Sequence, residues 1–444
     1  MPIPDGKTER RTIAVIGLGK IGLPLAAQYA LKGHTVIGGD ISEQVVATVN
    51  AGRSQVRGEA MLDERVAQAV AEGRLRATTD TTAAVSKSNV VVLIVPLYVD
   101  PQGRVDFANL DSAVAAVAKG LKPGTLVICE TTLPVGTTRG RLQPLLEQGS
   151  GLRCGRDFFL AFSPERVYSG RIFQDLARYP KIVGGVDEAS TGRAVAFYRD
   201  VLDAEVTPVK NAETAEFTKL AETSYRDANI ALANELALYA RKRGIDATQA
   251  FKAANTQPFS HLHQPSIGVG GHCIPIYPRF VIGDAEPGEV EMLRLGRKTN
   301  DGMVAVAVAQ LDEALGGLKG KTMLVLGLSY RENVKELAFS VALRLIPALQ
   351  QAGARVLAND PLFGPSELDQ LGVELVEDLR NPPPVDGIVI QAFHREYEAI
   401  DWSRFPGLKL VFDGRGRLPS GALARLGVPV LSVTEPKVPA VRKH

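Results

Sequence analysis

The sequence predicts an α/β protein in which two Rossmann-like, doubly wound domains are joined by a long central helix and a helical connector. Three observations predict it. Over roughly the first 200 residues, short apolar runs alternate with helical stretches, the pattern of strands and crossover helices in a parallel sheet. Residues 211–243 then carry neither Pro nor Gly and end at Gly244, a natural helix stop. From Lys321 the alternation restarts.

TIAVIG, opening at Thr12, reads as a strand, residues 23–32 as a helix, and HTVIGGD, ending at Asp40, as the next strand. NVVVLIV, TLVICE and DFFLAFS continue the series as near-continuous apolar runs, which suits strands covered on both faces. The longest of them, such as VVVLIVP over residues 90–96, fall far short of the ~20 residues a membrane-spanning helix needs. Asn211 can cap the helix that follows, which at ~1.5 Å per residue would be roughly 50 Å long. Its Ala and Leu fall on several faces, so it also suits a subunit interface and a homodimer. In the last third, TMLVLGLSY, ARVLANDP, GIVIQAF and LKLVFDGR read as strands and residues 336–351 as a helix. The expected divisions are 1–205, 206–317 and 318–444.

The 51 Lys and Arg against 49 Asp and Glu leave a formal charge of +2. That excludes a general nucleic-acid or membrane-surface binder, so any anion site has to come from local arrangement. Cys129, Cys154 and Cys273 are too few for a secreted disulfide framework, and MPIPDGKTERRT has no apolar signal core. Both point to a reducing, cytoplasmic compartment.

Gly17-Leu18-Gly19-Lys20-Ile21-Gly22 is a G-x-G-x-x-G at a strand-to-helix junction. Gly17 allows the tight turn, Gly19 lets a pyrophosphate approach the backbone, and Gly22 allows the helix to pack close to the strand. The amide groups around Lys20 and Ile21 open the helix toward the phosphates. Asp40 ends the next strand, where an acid accepts ribose hydroxyls and repels a 2′-phosphate, so NAD is expected rather than NADP. The second sheet has VLGLSYR at the matching place, with Gly327 as its one glycine, and is not expected to hold a second NAD.

Gly268-Val-Gly-Gly-His-Cys-Ile-Pro sets Cys273 after a glycine-rich turn. A thiol nucleophile needs exposure and stabilisation of its thiolate, and turn amides help to supply that. A cysteine in a loop is otherwise a small buried filler; the glycines favour the functional reading because they let a substrate come close. His261 and His263 with Cys273 match no zinc spacing, so no metal is expected.

GLGKIGLP, ETTLPVGTT, FSPERV, FTKLAETSYRDANIALANE and GVGGHCIP follow one another along nearly the whole chain and together resemble the UDP-glucose/GDP-mannose dehydrogenase family. The GGHCIP form is most similar to the branch acting on UDP-N-acetylhexosamines. The resemblance implies a four-electron, NAD-dependent oxidation of a nucleotide sugar to its uronate, through a cysteine thiohemiacetal and thioester. It assigns Cys273 as nucleophile, Lys219 to the developing oxyanion, Glu165 to the water of thioester hydrolysis and Thr132 to holding that water beside the cofactor. Thr223 joins the oxyanion network. Glu165, Arg166, Lys219, Gly270, Arg331 and Arg415 are implied to line the substrate, with Arg415 on the nucleotide diphosphate. The last domain is implied to bind the UDP-sugar, and the product to feed surface polysaccharide or secondary metabolism.

Several positions depart from the family pattern. Thr223 stands where an Asn is usual, Tyr277 in place of an Asp, Leu97 in place of a Thr, and Phe259 and Ala338 in place of arginines. Thr223 can still donate a hydrogen bond, whereas Tyr277 cannot act as a carboxylate. Three other readings stay open. One is a UDP-glucose or other NDP-glucose 6-dehydrogenase. Another is a two-electron dehydrogenase of the hydroxy-acid type, which needs neither thiol nor second sheet. The last is a non-catalytic NAD and nucleotide-sugar binding protein.

Overall fold

Apolar runs whose alternate residues serve opposite faces build the first sheet. The computed structural model describes residues 10–100, 104–368, 371–418 and 423–434. That sheet has eight strands: β1 Thr12–Ile16, β2 Thr35–Gly39, β3 Leu75–Thr78, β4 Val90–Leu93, β5 Leu126–Cys129, β6 Phe159–Phe162, β7 Lys181–Gly185 and β8 Val206–Pro208. Their spatial order is β8-β7-β6-β5-β4-β1-β2-β3. Ile13 and Val15 of β1 join one buried cluster, and Ala14 and Ile16 join another. That is the two-residue period of a strand covered on both faces.

All neighbouring strands run parallel except β6 and β7, which are antiparallel, with Ala161 opposite Gly185 and Phe162 opposite Gly184. Helix α1, Gly22–Leu31, follows β1 at once.

Helix α2, Ala212–Lys242, has 31 residues. Asn211 caps it as expected, its Oδ1 accepting from the Thr214 N–H at 3.0 Å. Gly244, at φ +70°, ends it. The chain falls into two compact units, residues 1–222 with 279–284 and residues 223–278 with 285–444.

The second unit holds a six-stranded, wholly parallel sheet: β9 Thr322–Leu326, β10 Arg355–Asn359, β11 Glu374–Leu375, β12 Gly387–Ile390, β13 Leu410–Asp413 and β14 Val430–Ser432. Its order is β11-β10-β9-β12-β13-β14. Helix α3, Glu291–Leu315, is a second long helix. Its buried Arg297 and Asn300 reach Asp227 at 2.6 and 2.8 Å, and Asn300 also accepts from Asn234 at 2.9 Å. These pairings lower the cost of burying the groups, although Arg297 Nε has no hydrogen-bond partner among the described residues.

Three local expectations are corrected. The strand expected over TMLVLGLSY stops at Leu326, and the one over NVVVLIV is only Val90–Leu93. The helix expected from residue 336 is α4, Ala342–Gln351. The Tyr330 N–H closes onto the Glu336 carbonyl at 2.9 Å, and Phe339 takes φ +54°, so residues 330–341 form a loop before the helix can start. Among the described residues no helix is long and apolar enough to cross a membrane.

Candidate active site

The cofactor turn is built by steric necessity. Gly17 lies at φ +97°, and a Cβ there would stand 2.6 Å from the Ile94 carbonyl oxygen. A Cβ on Gly22 would stand 1.8 Å from the Gly17 oxygen. Around the Cβ position of Gly19 nothing lies within 4 Å. The two packed glycines shape the turn, and the third leaves open room for a phosphate.

Lys20 is exposed and Ile21, partly buried, precedes α1 without a side-chain cap on the helix amides. Asp40 takes the Leu18 N–H on Oδ2 at 2.9 Å and the Ser42 N–H on Oδ1 at 3.0 Å. One donor per oxygen leaves a carboxylate further lone pairs for ribose hydroxyls. These residues fit NAD.

A buried charge cluster occupies the ends of β5, β6 and β7. Glu165 does not begin a helix; it sits in the loop after β6. Its Oε1 accepts from the N–H groups of Arg166 and Val167 at 2.6 and 3.1 Å, and its Oε2 accepts from Lys181 Nζ at 2.8 Å. The same ammonium donates to Glu130 Oε2 at 2.7 Å. Glu130 Oε1 in turn accepts from the hydroxyls of Tyr198 and Tyr29 at 2.6 and 3.3 Å. Burial pushes Glu165 up, but the charge and hydrogen bond of Lys181 and the Arg166 N–H outweigh it and hold the carboxyl below its ordinary value. At Glu130 burial wins over Lys181 and the carboxyl lies above that value.

Thr132 is buried in the loop after β5. The Arg166 guanidinium is held by Glu222 at 3.0 Å and the Pro180 carbonyl at 3.2 Å. Lys219 is buried on α2, one turn after Glu216. Glu216 accepts from the Gly136 N–H at 2.6 Å and from the Thr138 N–H and hydroxyl at 2.8 and 2.6 Å. It thereby ties the loop that carries Thr132 to the helix that carries Lys219. Burial lifts its carboxyl to about 7 despite those donors. Glu130, Lys181 and Glu216 escape the sequence reading. The available signal was a charged residue at the end of an apolar strand run, as in ICE and KIVGG.

In the second unit Cys273 is exposed. Cys129 and Cys154 are not, and burial pushes both thiols up, Cys154 to about 12. The loop before Cys273 rests on residues 330–341. A Cβ on Gly270 would come within 3.0 Å of the Phe339 oxygen, and one on Gly271 within 2.9 Å of the Tyr330 ring. The Gly271 N–H donates to the Phe339 carbonyl at 3.3 Å, and the His272 ring meets the edge of Phe339 at 5.6 Å between centroids.

Tyr277 opens the next helix, its N–H on the Cys273 carbonyl at 2.9 Å. Thr223 is buried, and Phe259 is exposed. Arg331 lies beside the Tyr330 ring, 5.9 Å from its centroid. Arg415 Nε donates to the Gln391 carbonyl at 2.5 Å and Nη1 to Gly268 at 3.4 Å, so it links the sheet edge to the cysteine loop, and its Nη2 has no hydrogen-bond partner among the described residues. The arrangement offers an exposed thiol on a loop packed against residues 330–341 and, in the first unit, a carboxyl held below its ordinary value and a buried lysine.

Known proteins match this chain over most of its length. Residues 11–202 match the NAD binding domain of the UDP-glucose/GDP-mannose dehydrogenase family, 213–302 its central domain and 324–419 its UDP binding domain. The chain is 37% identical over 412 residues to the UDP-N-acetyl-D-mannosamine dehydrogenase of Pyrococcus horikoshii, covering 91% of this chain and 95% of that one. It is 33% identical to the NDP-N-acetyl-D-galactosaminuronic acid dehydrogenase of Ralstonia nicotianae, with 91% and 96% covered. The solved structure of the UDP-D-ManNAc dehydrogenase of P. horikoshii superposes with a TM-score of 0.87, covering 96% of this chain and all of that one. A UDP-glucose dehydrogenase from Pyrobaculum islandicum superposes with the same score at 28% identity, with 98% and 100% covered.

Proposed function

Because the chain belongs to the UDP-glucose/GDP-mannose dehydrogenase family of NAD-dependent nucleotide-sugar dehydrogenases, we propose that it oxidises the 6-hydroxymethyl group of a UDP-N-acetylhexosamine to the uronate. The observation that carries this reading is the single exposed thiol, Cys273, in a glycine-lined loop. Two NAD molecules, bound one after the other at the glycine turn, would supply the hydride acceptors for the two oxidations. The 6-hydroxyl gives its proton to water, and Lys219 stabilises the negative charge on the sugar oxygen as the first hydride leaves and the aldehyde forms. The Cys273 thiolate adds to the aldehyde carbon, making a C–S bond while the oxygen takes a proton. Loss of the second hydride from that carbon, with the hydroxyl proton passing to water, leaves a thioester. Glu165 takes a proton from water as the water attacks, and the C–S bond breaks to return the thiolate and release the carboxylate.

Thr132 holds that water, Thr223 supports the oxyanion network, and Gly270, Arg331 and Arg415 face the substrate. Arg415 suits the diphosphate because its Nη2 has no partner among the described residues. Arg166 lines the substrate while its Nε is held by Glu222. A homodimer through α2 fits the exposed Tyr225, Leu232, Leu236 and Tyr239, which share one helical face. The three free cysteines fit the cytoplasm. NADH yield per mole of sugar, over a panel of nucleotide sugars with excess NAD, tests the reaction. Two NADH with a uronate product is the expected result; one NADH with an aldehyde or ketone product overturns it.

A further inference from the structure

We propose that Lys181 is a positioning residue for the hydrolytic step: its buried ammonium, strung between Glu130 and Glu165, fixes the Glu165 carboxylate as an anion in one orientation. This rests on the reading of Glu165 as the group that takes a proton from the attacking water.

The reversal of β7 makes the arrangement possible. Ligands of such sheets gather at the carboxyl ends of the parallel strands, and the first residue of a parallel strand lies at the opposite end. β7 runs against β6, with Phe162 opposite Gly184. Three residues beyond Phe162 is Glu165, and three before Gly184 is Lys181, so the start of β7 faces the end of β6. Ser163 holds the two segments together through its hydroxyl on the Ile182 carbonyl at 2.7 Å.

The side chains of Lys181, Glu130 and Glu165 are 5%, 0% and 10% exposed. One cation thus serves two carboxylates that water scarcely reaches, and buried charges persist only when paired. Glu165 has both oxygens occupied, by two backbone N–H groups and the ammonium, which leaves its rotamer no freedom. Facing it are Lys181 and Glu130, with Tyr29 of α1 and Tyr198 behind Glu130, and Arg166, Asp175 and Tyr179 around the adjoining cavity. The direction of the carboxyl shifts agrees, Glu165 down and Glu130 up.

The test is the pH profile of the full-length enzyme. Lys181→Met removes the charge at nearly constant length. The acid limb of kcat should move up by about one pH unit or more, a roughly tenfold loss below the limb. KM for the nucleotide sugar should stay within about twofold, and the first-turnover NADH burst should persist. Lys181→Arg should restore the limb. An unmoved limb in folded Lys181→Met enzyme overturns the proposal. If that variant does not fold, because two carboxylates then face each other, the Glu130→Gln/Lys181→Met double variant carries the same readout. Glu165→Gln separates the two layers. Full steady-state rate in Glu165→Gln refutes the reading of Glu165 and this proposal with it. Loss of turnover in Glu165→Gln beside an unmoved limb in Lys181→Met refutes the role of Lys181 alone.

Discussion

In the first sheet the Gly17 N–H donates to the Gly39 carbonyl at 2.8 Å and the Leu18 N–H to Asp40 Oδ2 at 2.9 Å. In the second sheet Gly327 donates to Asn359 at 2.9 Å and Leu328 to Asp360 Oδ2 at 2.7 Å. Both glycines have positive φ, and at both a Cβ would strike a carbonyl oxygen, Ile94 at 2.6 Å and Ala392 at 2.1 Å. From this shared turn the two regions diverge. α1 begins five residues after Gly17, whereas α4 begins fifteen after Gly327. Asp40 keeps lone pairs for a ligand, while Asp360 is filled by Ser329, Leu362 and His394, the last at 3.0 Å. A strand-turn unit is therefore a dinucleotide cradle only with the helix end close and the acid open. Lengthened, the same segment becomes the floor under the cysteine loop.

The largest expected effect breaks the first cradle. Gly22→Ala, with its Cβ 1.8 Å from the Gly17 oxygen, should weaken NAD binding by about 100-fold or more in a calorimetric titration, since the clash alone exceeds about 2.7 kcal/mol. UDP binding should survive; NAD affinity near wild type would mean that this turn is not the cradle. Next comes His394→Ala, which leaves the buried Asp360 carboxylate and the Asn333 N–H short of a partner. Urea denaturation should register a loss of about 2–4 kcal/mol, with NAD affinity unchanged; a loss confined to NAD binding would contradict the comparison.

The two units also differ in how a buried acid answers pH. Burial raises Asp360, but the hydrogen bond and charge of His394 bring it below its usual 3.8, so its stabilisation is present above that value and lost as pH falls through the folded pKa. Glu216 is the reverse. Raised from 4.5 to about 7, it contributes stability below 4.5 that is lost as pH rises through about 7. That loss amounts to at most about 3 kcal/mol, and Glu216→Gln should flatten the urea midpoint between pH 5 and pH 8. A slope identical to wild type would show that Glu216 does not titrate there. The smallest effect is expected from Asp40→Asn, a weakening of NAD by about tenfold with narrower discrimination against NADP; unchanged selectivity would remove Asp40 from the ribose.

Much of this was legible in the residues themselves. The glycine turn, Asp40 and the Asn211 cap are short-range devices, each set by a few neighbours in the chain, and they stand where the pattern puts them. The reversal of β7 was not legible, because KIVGG has the same apolar pattern in either direction. Lys181 and Glu130 therefore looked like ordinary strand-end charges, and their pairing depends on that reversal. Residues 336–341 carry helix-forming side chains, yet Phe339 packs on His272 and closes the loop instead, a tertiary contact overriding local propensity. Helix α3 was hidden by Gly296 and Gly302, tolerated because Arg297 and Asn300 anchor the helix to Asp227.

The central claim is that Cys273 carries the sugar between the two oxidations. Glu165→Gln enzyme, mixed with NAD and the nucleotide sugar that wild type oxidises, should accumulate the acyl-enzyme. Intact and peptide mass spectrometry should then find the uronyl adduct on Cys273, released by hydroxylamine. No adduct on that peptide, together with a full two-NADH yield from Cys273→Ala, would contradict the account.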